Sequence, residues 1–157
     1  MEQILPGKFV RESALDSQTA LVLPNDLNSL GTLFGGRLMD MADRVAAVVA
    51  LRHAGRGCVT LAIDSVRFHA PAGQGDILVF QAAVNRVWRT SMEVGLRILA
   101  ENFRTGQRKH IVSAYFTFVA IDENHRPVPI PPVIPQSADE KRRFEKAEER
   151  RRRRLGA

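Results

Sequence analysis

The stretch RLMDMADRVAAVVALRHA, residues 37–54, contains the pattern that decides the fold. Its apolar residues recur at the three- and four-residue spacing that places them on one broad face of a helix. At a rise of about 1.5 Å per residue, a helix of this length is roughly 27 Å long, nearly the width of a small domain. Gly55 and Gly57 mark its end. The residues on the predicted core face are Leu38, Met41, Ala42, Val45, Val48 and Val49.

Segments on both sides of this helix have the patterns of β-strands. An apolar run over residues 18–23 precedes the turn-forming residues 25–31, which predict a loop. After the helix, apolar and polar residues alternate, and a change of parity at Asp64-Ser65 predicts a bulge or bend. Short turns separate three more predicted strands, over residues 77–88, 92–99 and 110–121. This order predicts an α+β domain with an antiparallel sheet.

The predicted layers leave part of the sheet uncovered. One helix can cover only one face of a sheet, yet residues 110–121 are apolar on both faces. We therefore expect a second subunit to cover the other face, in a homodimer or a larger assembly.

Composition narrows the class of protein. The chain has 157 residues, a length typical of one domain, and its 45% hydrophobic content excludes a disordered chain. Cys58 is the single cysteine, which excludes an intrachain disulfide and favours a reducing, cytoplasmic location. No apolar stretch approaches the ~18 residues that span a bilayer, and the N-terminus lacks a signal-peptide pattern. We expect no membrane insertion.

The net charge of +6 is concentrated at the C-terminus. Residues 137–157 contain nine basic and five acidic residues, whereas residues 1–136 contain 14 basic and 12 acidic residues. We expect a single domain over residues 1–136 and a charged, basic tail over residues 137–157 that forms a solvated helix. Nucleic-acid binding through the arginines at 150–154 stays open as an alternative, although the nearly neutral body argues against a nucleic-acid partner.

Common catalytic motifs are absent from the sequence. It has no G-x-S-x-G elbow, phosphate-binding loop, dinucleotide fingerprint or H-E-x-x-H motif. Its four histidines, His53, His69, His110 and His125, lack the spacing of metal ligands. These absences favour an activity without a metal or a cofactor.

A loop and the start of the long helix contain the candidate chemical groups. Asn28 lies in the loop, Gly35-Gly36 begins the helix and Asp43 follows two turns later. Backbone N–H groups at a helix N-terminus suit an anion or a developing oxyanion, and glycines allow close approach to them. Asp43 lies off the predicted core face, on a stripe with Ala46, Ala47 and Ala50 that another chain or a ligand could approach. The plainer alternatives are an exposed helix acid, an ordinary turn and a loop residue.

Several runs resemble the hotdog-fold acyl-CoA thioesterases, specifically the cytosolic acyl-CoA hydrolase group. The resemblance covers residues 17–145 and is specific as a set. It implies a long central helix wrapped by a curved antiparallel sheet, dimers whose sheets join edge to edge, and often a hexamer made as a trimer of dimers. The matching runs are NSLGTLFGGRLM at 28–39, Asp43, Ala46, Ala47, ALRHA at 50–54, Val59-Thr60, Asp64-Ser65, Phe68, Gly75-Asp76, RTSME at 89–93 and FTFVA at 116–120.

The resemblance also implies a reaction, the hydrolysis of fatty acyl-CoA to fatty acid and CoA. Asp43 would be the general base for water or, as a second possibility, a nucleophile, and Asn28 would orient the water or the thioester. The N–H groups of Gly35 and Gly36 would form the oxyanion site, at the dimer interface. Phe34 stands where many hotdog enzymes have His, so no role for such a His transfers. The implied substrate-binding residues are Thr60 and the turn Arg89, Thr90 and Ser91, which would contact CoA.

Other readings remain open at this point. A dehydratase of the same fold would need a His and Asp pair that this sequence does not place. A non-catalytic acyl-CoA-binding protein is the alternative from another class. The acyl chain length and the pathway, which we expect to belong to fatty acid metabolism, do not follow from the sequence.

Overall fold

The computed structural model describes residues 4–156, which contain two α-helices, seven strands and two short 3₁₀ helices. The helices are α1 (Gly35–Ala54) and α2 (Ala138–Arg154). The strands are β1 (Lys8–Phe9), β2 (Leu15–Leu21), β3 (Cys58–Phe68), β4 (Ile77–Val87), β5 (Ser91–Glu101), β6 (Arg108–Ala120) and β7 (Val133–Ile134).

Five strands form the main sheet in the order β2-β4-β5-β6-β3, and every neighbouring pair is antiparallel. The short strands β1 and β7 pair in parallel as a separate two-stranded sheet. Helix α1 packs on one face of the main sheet and contacts four of its strands. This arrangement confirms the predicted α+β class and leaves β2 and β3 as the edge strands.

Local sequence explains both ends of α1. The helix begins at Gly35, two residues before the predicted start, so both glycines belong to its first turn. It ends where Gly55 adopts a left-handed conformation (φ 69°) and donates its N–H to the Leu51 carbonyl. Such a conformation suits glycine, which has no Cβ to clash.

The face of α1 that the sheet buries is wider than predicted. Leu38, Val45 and Val49 are buried as expected, but Ala46 and Ala50 are also completely buried in the core. The expectation that these alanines form an open stripe beside Asp43 is therefore wrong. The buried positions of α1 extend past the apolar stripe onto the alanine positions, which the spacing of apolar residues alone does not reveal.

The bend predicted in the first strand after α1 is present. The pairing of β3 with β6 shifts register between Asp64 and Arg67, and Ser65 has a positive φ of 51°. Strand β2 runs from Leu15 to Leu21, earlier than the predicted 18–23, because the chain leaves the sheet before a 3₁₀ turn at Pro24–Asp26.

Helix α2 packs against the sheet face opposite α1, and it corrects two expectations. Arg150 donates to both carboxylate oxygens of Glu93, a fully buried residue of β5, and Ala147 is buried as well. Trp88 donates its indole N–H to Glu148 (2.9 Å). The tail is therefore not a solvated helix, and part of the second face is covered by the chain itself.

Neither of these helices combines the length and the apolar character that crossing a membrane would require, within residues 4–156.

Candidate active site

Asp43 and Thr60 come together although they are 17 residues apart in the sequence. The Thr60 hydroxyl on β3 donates to Oδ1 of Asp43 on α1 at 2.7 Å. No hydrogen bond from residues 4–156 reaches the second carboxylate oxygen, Oδ2, and Asp43 is half-buried. The hydroxyl thus fixes the carboxylate and leaves one oxygen able to accept a proton.

The N-terminus of α1 is held by the loop before it. Asp26 is buried, accepts hydrogen bonds from the Leu23 N–H and from Arg37, and has a carbonyl that accepts the Phe34 N–H (2.8 Å). The hydrogen bond from the Leu23 N–H and then the one from Arg37 lower the pKa of Asp26. This carboxylate stays ionised and anchors the first turn of the helix.

Gly35 and Gly36 present the first N–H groups of α1, and within the described residues no side chain caps this turn. The first N–H groups of a helix have no acceptor inside the helix and bear partial positive charge. Two phenyl rings flank them, because a Cβ on Gly36 would lie 2.7 Å from Phe34 and one on Gly35 would lie 3.6 Å from Phe68. The turn can therefore donate to an oxyanion between two apolar walls.

Asn28 lies in the preceding loop and is held by a tight turn. Its Oδ1 accepts the N–H groups of Leu30 (2.9 Å) and Thr32 (3.1 Å), and its Nδ2 donates to the Thr32 hydroxyl (2.9 Å). An amide nitrogen has two hydrogens, so one donor remains for another partner. Within residues 4–156, no hydrogen bond joins Asn28 to Asp43.

The distance along α1 separates the two halves of the predicted site. Asp43 follows Gly35 by eight residues, which corresponds to about 12 Å along a helix axis. Reacting atoms must approach to about 3–3.5 Å. A carbonyl bound at Gly35-Gly36 is therefore out of reach of the Asp43 carboxylate of the same chain.

The turn Arg89-Thr90 with Ser91 lies at the end of the sheet where Thr60 is found. Ser91 pairs with Val119 across β5 and β6, and Val119 pairs with Val59, the neighbour of Thr60. Strand spacing of about 4.8 Å places this turn roughly 10 Å from Thr60. The structure thus gathers Thr60 and the turn on one side of the molecule.

Apolar side chains are exposed along β3 around Thr60. Leu61 is 65% exposed, Val59 47% and Ile63 41%. An exposed apolar edge strand is a ready surface for pairing with another chain. One exposed apolar surface of this chain therefore lies at the sheet edge beside Asp43, which is a different place from the sheet face that the sequence suggested for a second subunit.

No group of three or more His, Cys, Asp or Glu side chains within residues 4–156 is arranged to hold a metal ion.

Comparison with known proteins identifies the family. The model of the thioesterase superfamily matches residues 30–106. An uncharacterized acyl-CoA thioester hydrolase of Bacillus subtilis, YkhA, is 41% identical over 133 residues, which are 85% of this chain and 77% of that protein. The chain belongs to the thioesterase superfamily.

Solved structures show the same fold in related thioesterases. An apo-hexameric acyl-CoA thioesterase superposes with a TM-score of 0.93 at 41% identity and covers 97% of both chains. The acyl-CoA hydrolase of Staphylococcus aureus, in complex with butyryl-CoA, CoA and CoA disulfide, has a TM-score of 0.90 at 36% identity over 96% of this chain and 92% of that one. Other structures of that enzyme contain alanine at one Asn, one Asp or one Thr. The fold of this thioesterase is therefore the hotdog fold, and the chain is a thioester hydrolase.

One relationship in the thioesterase site does not follow from the sequence. Thr60 is expected to bind substrate, and the structure adds that its hydroxyl donates to Asp43. Thr60 belongs to a strand with alternating polar and apolar residues, and this alternation shows which face it occupies. It does not show which helix residue lies opposite.

Proposed function

We propose that this thioesterase hydrolyses fatty acyl-CoA to a fatty acid and CoA, in sites that two copies of the chain form together. The single observation that supports this most directly is the Asp43 carboxylate, fixed by Thr60 on Oδ1 and open on Oδ2. Related proteins named as acyl-CoA thioesterases support the substrate class.

In the proposed reaction, Asp43 accepts a proton from a water molecule whose oxygen attacks the thioester carbonyl carbon. The negative charge moves to the carbonyl oxygen, where the N–H groups of Gly35 and Gly36 stabilise it. The carbon–sulfur bond then breaks, and the thiolate of CoA leaves and takes up the proton. The hydrogen bond from Thr60 orients the carboxylate for either role. We propose the general-base role, in which Oδ2 takes the proton, with direct attack of Oδ2 on the carbonyl carbon as the second candidate.

Two copies are needed because Asp43 and the Gly35-Gly36 turn of one chain are too far apart to act on one carbonyl. We propose that the exposed edge β3 pairs with β3 of a second copy, which brings Asp43 of one chain to Asn28 and the glycine turn of the other. Asn28 would use its remaining amide hydrogen on the water or the thioester. The hexameric relatives favour a trimer of such dimers.

The other parts of the proposal concern CoA and location. Arg89, Thr90 and Ser91 would contact the phosphates or the pantetheine amides, from the sheet end where Thr60 lies. We place the protein in the cytoplasm because its one cysteine, Cys58, is a free thiol.

A thiol-release assay with acetyl-CoA through palmitoyl-CoA tests the activity. Asp43→Ala should lose about 10²–10⁴-fold in kcat, the usual contribution of a general base. Asp40→Ala is the matched control, since Asp40 lies on the same helix but pairs with Arg44 at 3.0 Å. Wild-type protein that releases no thiol from any chain length contradicts the proposal.

Mixed assemblies test the shared site separately. Asn28→Ala and Asp43→Ala chains should each be nearly inactive. Random assembly of the two makes half of the dimers mixed, and each mixed dimer has one intact site, formed by Asp43 of one chain and Asn28 of the other. Co-expression should then restore about a quarter of the wild-type activity. A mixture as inactive as its components would place both residues in a single-chain site.

A further inference from the structure

A groove runs between α2 and the face of the sheet opposite α1. It has a volume of about 520 Å³, within the usual range for small-molecule sites. Its floor is made of the small residues Ala83 and Gly95 on β4 and β5. Arg97 borders it from the sheet, and Arg142, Arg143 and Lys146 border it from α2.

The charge of the groove is strongly positive. Its lining also includes Arg150, and Asp16 is its single acidic residue. Arg150 is neutralised by Glu93 (2.6 Å), but Arg97 and Arg143 make no ion pair within residues 4–156. The pairs that Arg142 and Lys146 form with neighbours on α2 are exposed and contribute little. Several cations thus face one cavity without strong competing partners.

The groove is built on a rigid floor. Asn85 packs closely over Gly95. A Cβ at position 95 would lie 2.5 Å from the side-chain nitrogen of Asn85, so a larger residue there would displace Asn85. Arg150 stacks on the Tyr115 ring at 3.6 Å while it donates to Glu93. These contacts fix α2 over the sheet, so the helix positions that bear the cations lie across the groove from Arg97.

This groove is separate from the site around Asp43. Side chains alternate across a strand, and Gly95 and Arg97 alternate with Val94, Leu96 and Ile98, which face α1 in the core. A ligand in the groove is therefore on the other side of the sheet from the Asp43–Thr60 pair.

We propose that this groove binds a small anion that bears two or more phosphate groups. Guanidinium groups match phosphate oxygens with two parallel hydrogen bonds, and cations on both walls of a groove suit a ligand with charge at both ends. A single carboxylate or chloride ion could satisfy only one wall. The cavity is also too small for a folded partner.

Inorganic pyrophosphate is the probe, measured by calorimetry and by thermal unfolding of the full-length protein at constant ionic strength. Wild type should bind one pyrophosphate per chain, and Arg97→Gln with Arg143→Gln should weaken binding at least about tenfold. The matched control, Arg104→Gln with Arg126→Gln, removes two exposed arginines outside the groove and should bind as wild type does. Circular dichroism verifies each fold, and Arg143→Gln alone, expected to give an intermediate loss, serves if the double variant unfolds.

Equal weakening in both double variants overturns the proposal, because the effect is then general charge attraction. Binding of a polyglutamate peptide without binding of pyrophosphate also overturns it, in favour of an acidic protein segment. If CoA and pyrophosphate compete, the proposal is supported and the phosphates of CoA are the natural ligand of the groove. If they bind independently, the proposal is supported and the natural ligand is another phosphorylated molecule. All these readouts are independent of hydrolysis, so they stand even if the protein releases no thiol.

Discussion

Replacing Arg150 by Ala should destabilise the protein far more than replacing an exposed arginine of α2 by Ala. Glu93 is 0% exposed, and its carboxylate accepts three hydrogen bonds from Arg150, at 2.6, 3.0 and 3.2 Å. Asn85 supplies one more at 3.0 Å. Burial by itself disfavours the charge on Arg150, but the hydrogen bonds and charge of Glu93 leave its pKa raised.

The magnitude follows from the geometry of this ion pair. Arg150→Ala leaves a buried carboxylate with one amide donor and removes the contact with the Tyr115 ring. Loss of one partner of a buried pair costs about 3–5 kcal/mol. With a urea m-value of roughly 2 kcal/mol/M, the unfolding midpoint should fall by about 2 M. Arg142→Ala, the control, breaks an exposed pair with Asp139 and should lose less than about 1 kcal/mol.

Urea unfolding, followed by the fluorescence of Trp88, measures the stability of both variants. All samples have the same protein concentration, because dissociation of an oligomer would make the unfolding midpoint depend on concentration. Glu93→Gln combined with Arg150→Met removes both charges and should recover most of the lost stability. If Arg150→Ala unfolds within about 1 kcal/mol of Arg142→Ala, the buried pair does not hold α2 in place and the reasoning is wrong.

Three further predictions concern single residues. Burial lowers the pKa of His53, whose ring donates to the Pro131 carbonyl, so below pH about 6.5 the unfolded chain binds a proton that the folded chain does not. The free energy of unfolding should fall as the pH falls from 6.5, and His53→Gln should flatten this slope in urea titrations between pH about 5 and 7. Gly36→Ala should raise the free energy of unfolding by about 0.5–1 kcal/mol, because the Phe34 ring that it meets is 56% exposed and can rotate away; a lower Tm would show that the ring is fixed. Burial raises the pKa of the Cys58 thiol to about 11, so iodoacetamide at pH ~8 should alkylate it about 100-fold more slowly than in the urea-unfolded chain, as followed by mass spectrometry.

Local patterns were sufficient for α1 and for the presence of the five strands of the main sheet, but they did not predict the short strands β1 and β7. The spacing of apolar residues predicted α1, the glycine after Ala54 predicted its end, and the parity change predicted the bend at Asp64-Ser65. These features depend on interactions between residues close in sequence, such as the Gly55 N–H with the Leu51 carbonyl. Asp40 also pairs with Arg44, four residues later, at a spacing that favours ion pairs on a helix surface.

Contacts between distant segments were not predictable in the same way. The charge count indicated a basic C-terminal helix, but nothing in it indicated that Arg150 would reach Glu93, 57 residues earlier. An amphipathic helix with a few apolar residues and many charges has the same pattern whether it is solvated or docked. Whether such a helix docks depends on whether another strand places a buried charge of opposite sign, such as Glu93, opposite one of its residues.

What the sequence by itself determined is the order of the helix and strands, the family and the chemical candidates Asn28, Gly35-Gly36 and Asp43. The tertiary structure alone decided that Thr60 donates to Asp43, that Ala46 and Ala50 are buried beside it, and that α2 docks on the sheet. The physical reason is that periodicity records which face of an element is apolar, whereas a hydrogen bond or an ion pair depends on which face of another element lies opposite.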